Sequence, residues 1–180
     1  MKFEELDIKG AFLIHAEPFE DERGVFRRNF CEKEFAEHGI ATTVAQANIS
    51  ENKYKHTLRG FHYQVLPYGE GKTMTIMKGR IYDIIVDLRK DSKSYLKWLS
   101  LELYPNMRTS FHVPPGCANA FLTLEDDTLV HYYCSKSYNP DAERGIRYND
   151  PLFNFKWPIN APDHISEKDN SWEDYNQYSL

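Results

Sequence analysis

The stretch GRIYDIIVDLR, residues 79–89, reads as an extended strand. Tyr82, Ile84, Val86 and Leu88 fall on one face, and Ile81, Asp83, Ile85 and Asp87 on the other, because successive side chains of a strand point to opposite sides. Outward from it, LKWLSLELY alternates Leu99, Leu101 and Leu103 against Trp98, Ser100 and Glu102. RTSFHV and NAFLTLEDDTLVHYYCS continue the pattern, the latter broken by the acidic turn Glu125-Asp126-Asp127. Gly and Pro punctuate at MKGR, YPN, VPPG and YNPD. Several short strands joined by turns predict an all-β sandwich or barrel.

In VPPG the prolines Pro114 and Pro115 cannot donate ladder hydrogen bonds, so the strand must stop or reach an edge. Gly116 then allows a tight corner, of the kind that presents the next polar residue, Asn119, to a cavity mouth. The best helix candidate is CEKEFAEHGIA, with Phe30, Phe35 and Ala36 facing inward and Gly39 as the C′ residue. The polar, acidic end, SEKDNSWEDYNQYSL, reads as a short helix or tail from about residue 160 folded over the body, with a fraying terminus.

At 180 residues the chain is most simply one domain, residues 1–180. It is long enough to bury roughly two thirds of its unfolded surface without covalent staples. A net charge of −5, from 22 basic and 27 acidic side chains, with no basic run, argues against nucleic acid or a membrane surface as partner. The cysteines, Cys31, Cys117 and Cys134, are odd in number and far apart, which points to reduced thiols in a cytoplasmic protein rather than a disulfide framework. The charged opening, Met1 to Asp7, does not read as a signal peptide, and no apolar run reaches the ~20 residues of a membrane span.

TLRGFHYQ, residues 57–64, sets Leu58, Phe61 and Tyr63 as packing residues but interleaves Arg59, His62 and Gln64. With Lys72 shortly after, these polar groups point to a basic-lined cavity around His62. Strict alternation would place Arg59 and His62 on opposite faces; a bulge at Gly60 would bring both into the cavity. The seven histidines form no HxH or HxxxH pair, so no metal is expected. GxSxG, GxGxxG and P-loop motifs are absent, so neither a nucleophilic serine elbow nor a dinucleotide site is indicated.

Taken together, GAFLIHAEPFEDERGVF, LRGFHYQ, GRIYDIIVDLR, HVPPGCANAF, ERGIRYNDP and the WP of FKWP occur in order and at the spacings of a known family. The chain resembles the dTDP-4-dehydrorhamnose 3,5-epimerase family over nearly its whole length, from about Leu6 to Asp169. The resemblance implies a cupin-type jelly roll, or double-stranded β-helix, with short flanking helices. It implies a homodimer without cofactor or metal, acting on a nucleoside-diphosphate 4-keto sugar in surface-carbohydrate biosynthesis. By the same resemblance His62 matches the base, Tyr132 the proton donor, Lys72 the lysine near the keto oxygen and Asp169 the carboxylate that orients the histidine. Tyr133 should point to the opposite face of its strand. Arg23 and Arg59 match arginines that grip substrate, Gln46 and Asn48 a pair at the nucleotide, Tyr138 an aromatic stacked on the base, and Glu143 and Lys168 further contacts.

Two positions depart from the family pattern. The glutamate of RGxFxE, which helps read thymine, is Arg28 here in RGVFRR. An acceptor becomes a fixed set of donors, which favours guanine or cytosine acceptors, hence GDP or CDP over dTDP. The family's GFAHGF is GCANAF, so a substrate-contacting histidine becomes Asn119. Asparagine hydrogen-bonds but carries no charge, which implies altered sugar or phosphate recognition and leaves open whether C3, C5 or both are inverted. The expected activity is epimerisation beside a ketone. The rivals are a 3,4-keto-isomerase, a non-catalytic sugar-nucleotide-binding β-domain and, last for want of ligands, a metal-dependent oxygenase.

Overall fold

The computed structural model of the chain describes residues 1–176; the terminal part of the expected tail, residues 177–180, lies outside the described residues. The elements in order are β1 (Lys2–Glu5), β2 (Phe12–His15), β3 (Phe19–Asp21), β4 (Gly24–Phe26), α1 (Glu32–Glu37), β5 (Gln46–Asn52), β6 (Leu58–Gln64) and β7 (Lys72–Lys78). They continue with β8 (Ile81–Asp87), β9 (Trp98–Leu103), β10 (Thr109–Val113), β11 (Cys117–Thr123), β12 (Thr128–Cys134), β13 (Glu143–Gly145) and α2 (Glu167–Asn170). A six-stranded sheet runs β1-β2-β10-β7-β12-β5, a five-stranded sheet runs β13-β6-β11-β8-β9, and β3-β4 form a separate hairpin. Strands consecutive in sequence repeatedly fall in different sheets, which is the jelly-roll pattern.

The two main sheets pack face to face. Met74, Ile76, Phe111, Val113 and Val130 from one meet Ile81, Ile85, Leu103, Cys117 and Phe121 from the other. Burying each large side chain contributes roughly 1.5–3 kcal/mol. The opposite face of the five-stranded sheet is also covered: Phe61, Ile84, Val86, Ala118 and Ala120 pack under Ile146, Phe153 and Phe155. This explains the deciding stretch of sequence. The alternation over residues 79–89 is correct, but both faces are largely covered, only Tyr82 and Leu88 of the alternating residues staying partly exposed, and both Asp83 and Asp87 are fully buried. Asp87 is satisfied by Arg89 Nε at 2.8 Å, Ser92 Oγ at 2.6 Å and Ser94 Oγ at 2.7 Å. Burial alone would push its carboxyl up; these donors outweigh that and hold it well below the usual carboxylate range. Asp87 thereby ties down the connection from β8 to β9.

On the outer face of the six-stranded sheet, α1 docks Phe35 against Phe12, Ile14, Ile40 and Tyr133. Gly39 has φ +71°, as its C′ role requires. Ala36, expected inward, is exposed, because a helix of six residues turns only a narrow stripe toward the sheet. Tyr133 points outward, its hydroxyl donating to Asn29 O at 2.9 Å, while Tyr132 packs on the core between the sheets.

The bulge at Gly60 is present. Against β11, His62 pairs with Asn119 but Arg59 pairs with Phe121, so three steps along β6 match two along β11. Gly60 has φ +111°, and a Cβ built there would lie 2.5 Å from Asn119 O. Only glycine fits both the conformation and the space. Gly60→Ala is expected to lower the unfolding free energy by about 2 kcal/mol or more, read from urea unfolding at neutral pH. A wild-type midpoint would show that the bulge tolerates a side chain.

Candidate active site

A cavity of about 500 Å³ opens between the sheets, where the bulged strand β6 faces β7 and β12. That size suits a ligand of moderate dimensions. Because of the bulge, Arg59 and His62 both line it. His62 Nε2 lies 2.7 Å from Asp169 Oδ1. A carboxylate has no proton to give, so Nε2–H is the donor and the neutral ring keeps its lone pair on Nδ1. Asp169 belongs to α2, far along the chain. His164 O accepts from Leu58 N at 2.8 Å, Ser166 Oγ caps α2 by accepting from Asp169 N at 3.0 Å, and Asp169 Oδ2 accepts from Gly60 N at 3.1 Å. Burial would raise the Asp169 carboxyl, but the bonds from His62, Gly60 and Ser166 outweigh it, and the group titrates below its ordinary value. Asp169 therefore stays anionic and fixes the orientation of the His62 ring.

Tyr132 enters from the opposing sheet, on β12 between Asn48 and Met74. Burial raises its phenol above the ordinary value, with Arg59 working weakly the other way. At neutral pH it is a neutral O–H. Lys72, also from that sheet, is anchored to Glu70 Oε1 at 3.1 Å and donates to His62 O at 3.3 Å. Arg59 is aimed by Asn52, whose Oδ1 accepts from its Nε at 2.6 Å.

The remaining wall is polar. Gln46 and Asn48 line the cavity from β5, and Gln46 Oε1 accepts from Tyr138 N. Tyr138 OH donates to Glu143 Oε2 at 2.7 Å, and Lys168 Nζ donates to the same oxygen. Glu143 titrates below its ordinary value because these two donors outweigh its partial burial. Asn119 lies on the floor, in register with His62.

Thus eleven of the thirteen expected site residues border one cavity: His62, Tyr132, Lys72, Asp169, Gln46, Asn48, Arg59, Asn119, Tyr138, Glu143 and Lys168. Two do not. Arg23 sits on the β3–β4 hairpin, paired with Asp21 at 2.6 Å, and Arg28 pairs with Glu34 at 2.9 Å; both are exposed and outside this chain's cavity. The hairpin stands apart from the two sheets, so sequence proximity does not carry it to the site. Gln64, read as substrate-facing, has its amide engaged by the surrounding loops: Nε2 donates to Tyr68 O, Glu70 and Ser137 O, and Oε1 accepts from Asn139 N. It borders the cavity, as read, but its amide braces the surrounding loops. The sequence reading missed Glu70, Asn52 and Asp83. For Asp83 a signal existed, since it shares a face with Ile81 and Ile85. Glu70 and Asn52 become visible only when loops and strands come together.

Among the described residues no three His, Cys, Asp or Glu side chains converge as a metal would need, and no helix is long and apolar enough to cross a membrane.

Comparison with known proteins agrees with this geometry. The family profile described as dTDP-4-dehydrorhamnose 3,5-epimerase matches residues 5–177. A dTDP-4-dehydrorhamnose 3,5-epimerase from Methanothermobacter thermautotrophicus is 37% identical over 174 residues, covering 96% of this chain and 93% of that protein. The crystal structure of the Bacillus anthracis dTDP-4-dehydrorhamnose 3,5-epimerase with TDP and PPi bound superposes with a TM-score of 0.91 at 33% identity, over 96% of this chain and 98% of that one. A 3′-monoepimerase from Streptomyces bikiniensis in complex with dTDP-quinovose superposes with a TM-score of 0.84 at 29% identity, over 91% and 83%. With its jelly roll and its cavity, this chain belongs to the dTDP-4-dehydrorhamnose 3,5-epimerase family of isomerases.

Proposed function

We propose that the protein inverts C3, C5 or both in a nucleoside-diphosphate 4-keto sugar, without a cofactor, by proton removal and return through an enolate. The observation that carries this reading is the placement of two proton carriers on opposing sheets: the His62–Asp169 pair on one wall and the Tyr132 phenol on the other. A C–H beside a ketone is acidic only because its removal gives an enolate. Inversion needs a base on one face, an acid on the other, and positive charge at the enolate oxygen. His62 is the base, and Asp169 stabilises the imidazolium. Lys72 supplies charge at the oxygen. Tyr132 delivers its proton to the opposite face, and exchange with water resets both groups. Binding alone would require neither proton carrier.

Arg59 binds the diphosphate, for which a guanidinium fork is suited, while Gln46, Asn48, Tyr138, Glu143 and Lys168 border the nucleotide end. Arg23 and Arg28 can serve only a cavity of a second copy. The hairpin that carries Arg23 exposes Phe19 and Phe26 at 81% and 73%, apolar surface that fits a homodimer in which it is covered. On that reading Arg28 offers only donors to the base, which favours GDP or CDP over dTDP. The free thiols of Cys31, Cys117 and Cys134 fit a reducing, cytoplasmic setting.

The test is incubation in D2O with 4-keto-6-deoxy sugars linked to dTDP, GDP and CDP, followed by NMR. Deuterium at C3 or C5 with inverted configuration is expected. Carbonyl migration would instead mean a keto-isomerase, and nucleotide binding without exchange would mean a binding protein. Calorimetry with the three nucleotides settles the base; much tighter binding of dTDP than of GDP or CDP would overturn the Arg28 reading.

A further inference from the structure

We propose that Asn119 selects the sugar by presenting a fixed acceptor, its Oδ1, to a sugar hydroxyl, with Asp83 as the residue that positions it. This rests on the sugar-nucleotide reading above and adds the polarity of one contact.

Asn119 lines the cavity although it is only 6% exposed. Its Nδ2 is engaged, donating to the buried Asp83 Oδ2 at 2.9 Å with Met74 Sδ at 3.3 Å. A thioether sulfur accepts and never donates. Turning the amide over would set Asn119 Oδ1 against that sulfur, acceptor to acceptor. The pairing therefore decides which end of the amide faces inward. Among the described residues no donor meets Asn119 Oδ1, which leaves that carbonyl for a ligand.

Asp83 is placed for this task. It is fully buried, its Oδ1 has no partner among the described residues, and its Oδ2 meets Asn119. Asp87, equally buried on the same face of β8, gathers Arg89, Ser92 and Ser94 and stays ionised. Burial pushes Asp83 well above the carboxylate range, outweighing the Asn119 hydrogen bond and the Lys72 charge. Ionised or protonated, the carboxyl keeps an oxygen that accepts from Asn119 Nδ2, so the pairing does not depend on its charge. The family's histidine at this position can donate an N–H to substrate; Asn119, held this way, can only accept. A ring hydroxyl satisfies it, whereas a ketone or a deoxygenated carbon leaves it unpaired at a cost.

The test is calorimetry with unreactive nucleoside-diphosphate glucose and its 2-deoxy, 3-deoxy and 6-deoxy forms, on whichever of dTDP, GDP or CDP binds. For the wild type, one deoxy form is expected to bind about 10-fold more weakly or worse. In Asn119→Leu that penalty should shrink to within about 2-fold while the others persist; Asn119→Ala serves if the leucine variant does not fold. Asp83→Asn, which keeps an acceptor, should retain the penalty. Asp83→Leu should lose it without weakening the free nucleotide. A penalty that survives in both Asn119 variants, or equal affinity for all the sugars, overturns the inference alone. If no sugar nucleotide binds, the functional reading falls and takes this inference with it.

Discussion

Replacing His62 with asparagine is expected to lower turnover about 10³-fold, within the range that a positioned acid or base contributes. The affinity for free nucleotide should change by no more than about 3-fold, because the groups at the nucleotide end, Gln46, Tyr138 and Glu143, bond to one another and not to the imidazole. Asparagine keeps a hydrogen-bonding group beside Asp169, so the anion is not left without a donor; Gly60 N also donates to it. The fall should lie in kcat. Deuterium exchange from D2O should vanish together with inversion, since proton removal comes first. Turnover near the wild-type rate would eliminate His62 as the base, and a matching loss of nucleotide affinity would show a binding role instead.

Tyr132→Phe should separate the two halves of the reaction. It deletes one oxygen on the wall opposite His62 and leaves the His62–Asp169 pair intact. Inversion is expected to fall by about 10²–10³-fold. Exchange should fall far less, because His62 still removes the proton and can return a deuteron to the same face. The product signature is therefore deuterium at C3 or C5 with the starting configuration, followed by NMR in D2O. Loss of exchange equal to the loss of inversion would place Tyr132 in the proton-removal step. Inversion at the wild-type rate would mean that another donor, or water, supplies the second proton. Burial keeps the Tyr132 phenol protonated across neutral pH, so this supply should not limit the rate there.

Chain relatives show why such tests are needed. The Streptomyces bikiniensis protein is described as a 3′-monoepimerase and the Methanothermobacter protein as a 3,5-epimerase. One fold thus serves single and double inversion, and the outcome must depend on how the sugar sits against the proton carriers. Of the two departures read from the sequence, Arg28 and Asn119, it is Asn119 that borders this chain's cavity, in register with His62.

The sequence by itself determined β6, β8, β9 and β10 to β12, because their signals are local. Alternation over residues 79–89, the acidic turn between β11 and β12, and the proline-glycine corner before β11 each follow from period and turn chemistry. It also suggested the bulge: Arg59 and His62 share a face only if the strand is irregular between them, and Gly60 offered the place, where the structure has it. What local pattern could not decide was partnership across the fold. The stretch around Asp83 and Asp87 reads the same for both acids, yet one gathers three donor side chains and the other a single amide. Asp169 reaches His62 only because His164 and α2 dock on β6, and Gln64 becomes a brace because separate loops close around it. Arg23 and Arg28 carry the right chemistry, but one rides on the β3–β4 hairpin and the other is paired with Glu34 of α1, both away from their own cavity. Hydrogen-bond partners and burial are set by chain segments distant in sequence, so whether a polar residue is a reagent, a brace or a bystander was decided by the tertiary structure.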